Sequence, residues 1–371
     1  MKVPRWAYLF LGGLLLVTLF SGAIANDRPL LAYDGERLHV PVLSKQPYRP
    51  QEDEWAVWPP IPFAATTADL NDATYLPPLT MTPDGRHWLG TDYLGRDIAA
   101  GLVSGTRVAV YVGLGSVVVS LLLGLPLGAV AGFFGDHGLR VPRRSVLAWV
   151  VGTVCGTAYA LACLSAVTNG LPEFLLLLML SVGVGICLWD ILLRLPARYS
   201  AWLRRPVGVP LDRGVVLLLE LTVGIPTLVL LIALLAYLQE PSLPAIVLII
   251  GLVGWTPVAR FLRAELIRVR DLPYIAAARV GGVGEWRLLF RHALPNAIGP
   301  VVVVAAFMVG TSILAEATLS FLGVGVPSDQ VTWGSILQES RNQTSAWWLA
   351  VFPGLLLTTT VLACNSIRVR N

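Results

Sequence analysis

Side chains that do chemistry at fixed spacings are sparse in this sequence. The only lysines, Lys2 and Lys45, stand outside any G-x-x-x-x-G-K-[ST] loop. The chain therefore has no backbone cradle with a lysine to grip a nucleotide phosphate, and it cannot be a P-loop ATPase. His39, His87, His137 and His292 are scattered and form no H-E-x-x-H pair, which argues against a zinc protease. None of the four falls within an apolar run and no G-x-S-x-G element has a plausible base, so an intramembrane serine protease is also disfavoured. The four cysteines (Cys155, Cys163, Cys187 and Cys364) all lie in apolar runs, where a thiol behaves as a small hydrophobe rather than as part of a disulfide framework.

Three acids sit within apolar stretches, where each costs about 2.5–3.5 kcal/mol on insertion scales. These are Asp190, Glu220 and Glu316. As a proton relay, Glu220 and Glu316 would make the chain a proton- or ion-coupled secondary transporter. Each acid also stands near the end of its run, from which it can reach headgroup water or a neighbouring helix. Asp190 is four residues from Arg194, Glu220 is about two turns from Arg213, and Glu316 is near the outer end. The second reading is the better supported.

The elements that must position these residues follow from composition. Apolar residues make up 55% of the 371 and charged residues only 13%, against roughly 45–50% and about 25% in soluble proteins. The surplus apolar surface requires lipid. Runs long enough to cross about 30 Å of hydrocarbon occur at 6–25, 108–134, 146–168, 173–193, 214–238, 243–259, 297–323 and 347–364. These give about eight spans, of which 243–259 is the shortest and ends at Pro257 and Arg260. Pro226 and Pro257, like Gly124, Pro126 and Gly128, read as close-packing sites and kinks.

Basic residues in short loops set the orientation. With a cytoplasmic N-terminus, the inner side holds 19 of them, including Lys2 and Arg5 and the two arginines at the C-terminus, while the short outer loops hold only Arg341. Both termini are thus expected inside. The first run reads as a retained anchor, although Trp6–Phe20 followed by Ala23-Ile24-Ala25 also describes a cleavable signal peptide. The arginines flank membrane runs, so the pI near 9.0 reflects orientation and not a nucleic-acid partner.

Residues 27–105 form the one sizeable water-exposed segment, with 11 acids, six bases and a proline cluster that includes Pro41, Pro47, Pro50, Pro59, Pro60, Pro62, Pro77 and Pro78. Such spacing breaks helices and predicts a small irregular cap. Trp55, Trp58, Tyr75 and Trp88 are expected in its minor core or at headgroup level.

The inner stretch 260–296 is the most informative. Ala276-Ala277-Ala278 predicts the start of a short helix with a face too small to hold another surface off, Gly281, Gly282 and Gly284 end it, and an amphipathic turn from Trp286 to His292 leads to Leu294-Pro295. The pattern A-A-x-x-x-G-x(11)-L-P at Ala277, Ala278, Gly282, Leu294 and Pro295 resembles the coupling ("EAA") loop of ABC-importer permeases. The surrounding Tyr274–Asn296, with Arg287, Arg291 and His292, is similar to the dipeptide/oligopeptide/nickel branch. The runs Leu89–Asp97 with Ser104–Arg107, and Ala315–Gly325 with Trp333-Gly334, also resemble segments of that branch. Trp58-Pro59-Pro60-Ile61-Pro62 resembles the outer segment of oligopeptide/microcin C-type, C-like permeases.

The resemblance covers about 89–135 and 211–345. It implies an all-α polytopic membrane protein with a six-span type I permease core in a bacterial inner membrane. Such a protein has no catalytic site or cofactor of its own, and ATP and Mg sit on partner subunits. The implied partners are a second permease subunit, two ATPase subunits and an extracytoplasmic solute-binding protein, and the implied cargo is peptides or peptide-like solutes. The helix at 276–282 would dock in a groove on the ATPase. Two features depart from the family. Ala276 stands where the coupling motif has glutamate, which removes a charge-assisted contact. Phe134-Gly135 and Asp212-Arg213, nearly adjacent in the family, are separated by 76 residues that carry two spans, expected as an inserted accessory hairpin at 136–211.

Overall fold

The computed structural model describes residues 5–33, 38–43, 55–68, 74–83, 85–136, 138, 140–163, 171–238, 242–327 and 330–367. Lys2, Lys45, Pro47, Pro50, His137 and the C-terminal Arg368 and Arg370 lie outside them. The chain opens with α1 (Arg5–Leu19) and one turn, α2 (Ser21–Ile24), followed by β1 (Leu31–Tyr33), β2 (Leu38–His39), β3 (Trp55–Val57), β4 (Thr80–Thr82) and β5 (Gly85–His87). Next come α3 (Ile98–Phe134), β6 (Arg140–Pro142), α4 (Arg143–Ala162), α5 (Leu171–Tyr199), α6 (Ala201–Arg204) and β7 (Pro206–Gly208). They lead to α7 (Leu211–Val223), α8 (Thr227–Tyr237), α9 (Leu243–Val253) and α10 (Trp255–Arg270). The last elements are α11 (Pro273–Val280), α12 (Glu285–Leu288), α13 (Leu294–Ala297), α14 (Gly299–Phe321), α15 (Trp333–Glu339) and α16 (Trp348–Asn365).

Among the described residues, six helical stretches are long and apolar enough to cross a membrane, and α7 with α8 adds a seventh if taken as one span broken at Gly224-Ile225-Pro226. These are α3, α4, residues 176–194 of α5, α9 with α10, α14 and α16. Two expected boundaries change. Among the described residues the first run forms α1, of 15 residues and by itself short of the ~20 that cross the hydrocarbon, followed by the separate turn α2. The run expected to end near Arg260 continues instead to Arg270, because Leu262, Leu266 and Val269 recur at helical spacing and are fully buried while the arginines take the other face.

The described residues form two compact units, the first within 1–123, 225–258 and 299–371 and the second within 124–224 and 259–298. In the first, α3 starts at Ile98 because the Asp97 carboxylate accepts the Ala100 N–H at 2.8 Å, an N-cap. The Ser116 and Ser120 hydroxyls donate to the Val247 and Gly251 carbonyls at 3.2 and 2.9 Å, polar glue between α3 and α9. One core gathers Ile98, Leu102, Ile313, Trp333 and Leu349, and another gathers Val112, Leu231, Leu235, Ile246 and Leu319. Tyr111, Leu114, Val118 and Leu122 stay exposed along α3 at the spacing of one helical stripe. The outer segment, expected to be irregular, contains an antiparallel sheet in the order β2-β1-β3 and the hairpin β4-β5. Tyr75 packs on the core, whereas Trp55, Trp58 and Trp88 are exposed, which removes them from a minor core and leaves the headgroup-level alternative.

In the second unit the insertion forms a hairpin. Ala148, Gly152, Gly156 and Ala160 make one buried stripe along α4. A Cβ on Gly156 would lie 2.6 Å from the Val182 Cα of α5, so the two backbones meet with no side chain between them. At the base of the hairpin, β6 pairs antiparallel with β7, Arg140 opposite Gly208 and Pro142 opposite Pro206.

Candidate functional site

The site is built on the C-terminal end of α3 and on α10. A Cβ on Gly128 would stand 2.6 Å from the Ala259 carbonyl oxygen, and one on Gly132 would stand 2.7 Å from that of Arg263. Only glycine permits this approach. The Arg270 guanidinium donates to the Gly132 carbonyl at 3.2 Å, and Gly135, at φ +59°, ends α3 in the left-handed region that glycine enters freely. Across the insertion, the Asp136 carboxylate accepts the Arg213 N–H at 3.1 Å and pairs with its guanidinium. Arg263 holds Asp212 through two bonds of 2.5 and 2.7 Å, a bidentate fork.

After Arg270 the chain turns and Pro273 opens α11, three residues before the expected start at Ala276, because proline suits the first helical turn. Ile275 points inward and is fully buried, while Ala276 and Ala277 are exposed and Ala278 is half-buried. Exposed Gly282, at φ +80°, ends the helix, and the Val283 N–H returns to the Ala278 carbonyl at 3.2 Å. Arg279 and Glu285 close the glycine turn at 2.7 Å. Its hydrogen bond to Glu285 raises the Arg279 guanidinium further above its usual range.

Beyond the turn, Leu289–Ala293 forms a π-turn between α12 and α13. Leu288, Leu289, Ala293 and Ala297 are fully buried, and the Asn296 amide donates to the Tyr274 hydroxyl at 3.3 Å, which ties α13 to α11. The Trp286 ring lies 4.8 Å from Phe134 and 5.9 Å from Phe290. Arg287, Arg291 and Pro295 are exposed and His292 and Leu294 are half-buried. All the loop residues singled out from the sequence thus fall within one unit. Sequence reasoning did not find the Phe134–Trp286–Phe290 stack, the Arg279–Glu285 pair or the Asp136–Arg213 clasp. For the pair the available signal was opposite charges flanking a glycine run.

The three intramembrane acids sit in different surroundings. Glu316 is 1% exposed and accepts the Ser320 hydroxyl at 2.7 Å, so of the two expected surroundings headgroup water is removed and packing against neighbouring elements is left. Glu220 is exposed on α7. Asp190 pairs with Arg194 at 3.0 Å as expected. Nothing in this arrangement favours ion coupling.

The first unit also holds a cluster of charges in the Leu89–Asp97 run. Asp92 accepts the Leu94 and Arg96 N–H groups at 2.8 Å each. The Arg96 guanidinium bridges Asp92 at 2.6 Å and Glu339 at 2.8 Å. Burial and the nearby Asp92, opposed by Arg96, push the Glu339 carboxyl up to about 7.

Residues 197–368 match the family of binding-protein-dependent transport system inner membrane components. Over those residues the chain is similar to that family. It is the membrane-spanning permease subunit of an ABC importer, a multi-pass inner-membrane protein that works with an ATPase and a solute-binding protein. Among its relatives, the inner membrane ABC transporter permease protein YejE of Escherichia coli K12 is 28% identical over 366 residues, 93% of this chain and 84% of that one. A Brucella suis biovar 1 protein provisionally named a peptide permease is 29% identical over 317 residues, 83% of this chain and 80% of that one. A second protein of that organism, provisionally named a peptide transport system permease, is 36% identical over 169 residues, 45% of this chain and 55% of that one.

Proposed function

We propose that this permease imports peptides or peptide-like solutes and carries no catalytic site, with ATP and Mg bound on two separate ATPase subunits. A second permease chain completes the path, and an extracytoplasmic binding protein delivers the solute. Both termini and the α11 loop face the cytoplasm. The names of its relatives support the peptide class, and the basic flanks of the spans support the orientation.

The coupling role rests on one observation: α11 exposes Ala276 and Ala277 to the outside and is fixed from below by buried Ile275. Small side chains admit a groove wall, and Ala278, Gly282, Leu294 and Pro295 shape the same surface. Arg287, Arg291 and His292 supply cations at its edge. The loop transmits only the bias that its differential contacts with the two ATPase states permit. The Arg279–Glu285 pair keeps the glycine turn closed in the absence of a glutamate at 276.

Disulfide crosslinking tests this directly. A permease carrying Ala277→Cys should crosslink to a cysteine in the groove of the purified ATPase, with a yield that changes on ATP binding. Labelling of that cysteine by an impermeant reagent added outside intact cells, or full import after the 276–282 segment is scrambled, would overturn the proposal.

A further inference from the structure

Two adjoining cavities in the first unit have opposite electrical character. One, of about 490 Å³, is lined by residues that include Tyr93, Arg96, Ser320, Gln338, Glu339 and Asn342. Its charge comes from the Asp92–Arg96–Glu339 cluster, where one guanidinium serves two carboxylates, so the cluster gains a negative charge as Glu339 ionises at about 7. Arg96 reaches Glu339 through Oε1. The other oxygen, Oε2, is buried and meets no donor among the described residues. A buried acceptor in that position costs about 1–3 kcal/mol, more when charged, so the cavity favours a donor that brings positive charge.

The other cavity, of about 730 Å³, is walled by Val108, Leu114, Leu243 and Val247, with Arg107 and Tyr111 at its polar edge. Among the described residues its lining includes no acid, and Arg107, exposed on α3, has no ion pair or hydrogen bond. A lone cation beside low-dielectric walls concentrates anions. Both volumes fall within the range of small-molecule sites, roughly 300–1,000 Å³. Gln330 and Val331 line both cavities, so the positive and negative sites share a wall.

We propose that the two cavities form one bipolar recognition site for a zwitterionic solute, whose carboxylate pairs with Arg107 and whose ammonium pairs with Glu339. The proposal deepens the reading of the chain as a peptide permease and rests on it for the class of solute, since a short peptide with free ends carries this pair of charges. A phosphatidylethanolamine headgroup carries the same pair and is the other source of such a ligand.

The test measures binding of tri-alanine, N-acetyl-tri-alanine and tri-alanine amide to the assembled permease–ATPase complex in nanodiscs by titration calorimetry. Each blocked end removes one charge-assisted bond, so the wild type should bind the free peptide at least about tenfold tighter than either blocked form. Arg107→Gln should abolish discrimination against the amide alone, and Glu339→Gln discrimination against the acetylated form alone. Absence of saturable tri-alanine binding to the wild type, equal affinity for the three forms, or variants that weaken all three alike would each overturn the proposal. Glu339→Gln keeps an acceptor toward Arg96. Should it fail to assemble, Gln330→Trp, which fills the shared wall, must abolish binding, and retained affinity sinks the site. Affinity should be the same in nanodiscs with and without phosphatidylethanolamine. A tenfold loss on adding that lipid, removed by Arg107→Gln, assigns the site to the headgroup instead. ATP-driven uptake in proteoliposomes separates the two readings: peptide uptake indifferent to blocked ends defeats the bipolar site alone, and uptake of no peptide defeats the peptide reading.

Discussion

Excising the inserted hairpin should leave a working permease. The perturbation replaces residues 138–210 with Gly-Ser-Gly-Ser. Asp136 and Arg213 are already joined by a 3.1 Å hydrogen bond, and four residues span up to about 13 Å, so the ends meet without strain. The strand pairing of β6 with β7 and the packing of α4 on α5 lie wholly inside the excised piece. The bidentate Asp212–Arg263 pair and the Gly128 and Gly132 contacts with α10 remain. Doubling a flexible connection shifts closure by only about 0.6 kcal/mol, so linker length matters little. The expected change is within about 1 kcal/mol, a thermal midpoint moved by no more than about 4 °C. Melting of the detergent-solubilised complex and ATP-driven uptake in proteoliposomes read both quantities, and uptake should stay within about twofold of the full chain. An assembled complex that hydrolyses ATP but has lost more than about tenfold of its uptake refutes the reasoning. So does a core that fails to assemble with either a four- or an eight-residue linker.

Ile275→Ala removes the fully buried anchor of α11 and should cost about 2–5 kcal/mol locally, seen as protease cleavage within 271–285 and as ATP hydrolysis without matching import. Ala277→Trp sits on the exposed face, so melting should be unchanged while import falls at least about tenfold; normal import would contradict the docking surface. Glu339, raised from 4.5 to about 7, binds its proton more tightly in the folded than in the unfolded chain. Stability should therefore be greatest below about 4.5, decline as pH rises to about 7, and lose about 3 kcal/mol in total. Melting between pH 5 and 8 should show the decline, and Glu339→Gln should flatten it.

Much of this was legible because lipid imposes long uncharged runs, and these became helices nearly where expected. The small-residue face at 276–278 and its glycine stop were equally plain. The end of the span at Arg260 was misjudged because charge density looked like a loop, while the better signal was the helical spacing of Leu262, Leu266 and Val269, which overrides the arginines opposite. Glu316 could not be placed from its position along a run, since depth in a bundle depends on which neighbours close over it. The clasp at Asp136 and Arg213 joins residues 77 apart, and no local pattern encodes a contact of that range. The aromatic contact between Phe134 and Trp286 is hidden for the same reason.

Neighbouring helices ordinarily slip past one another by letting side chains hop between rotamers. At Gly128 and Gly132 the α3 backbone rests on that of α10, and no such slack exists there. A tug on the loop that follows Arg270 must reach both rods at once, so the joined stretches of these helices act as one strut, and any larger residue at either glycine would loosen the linkage before it touched a ligand.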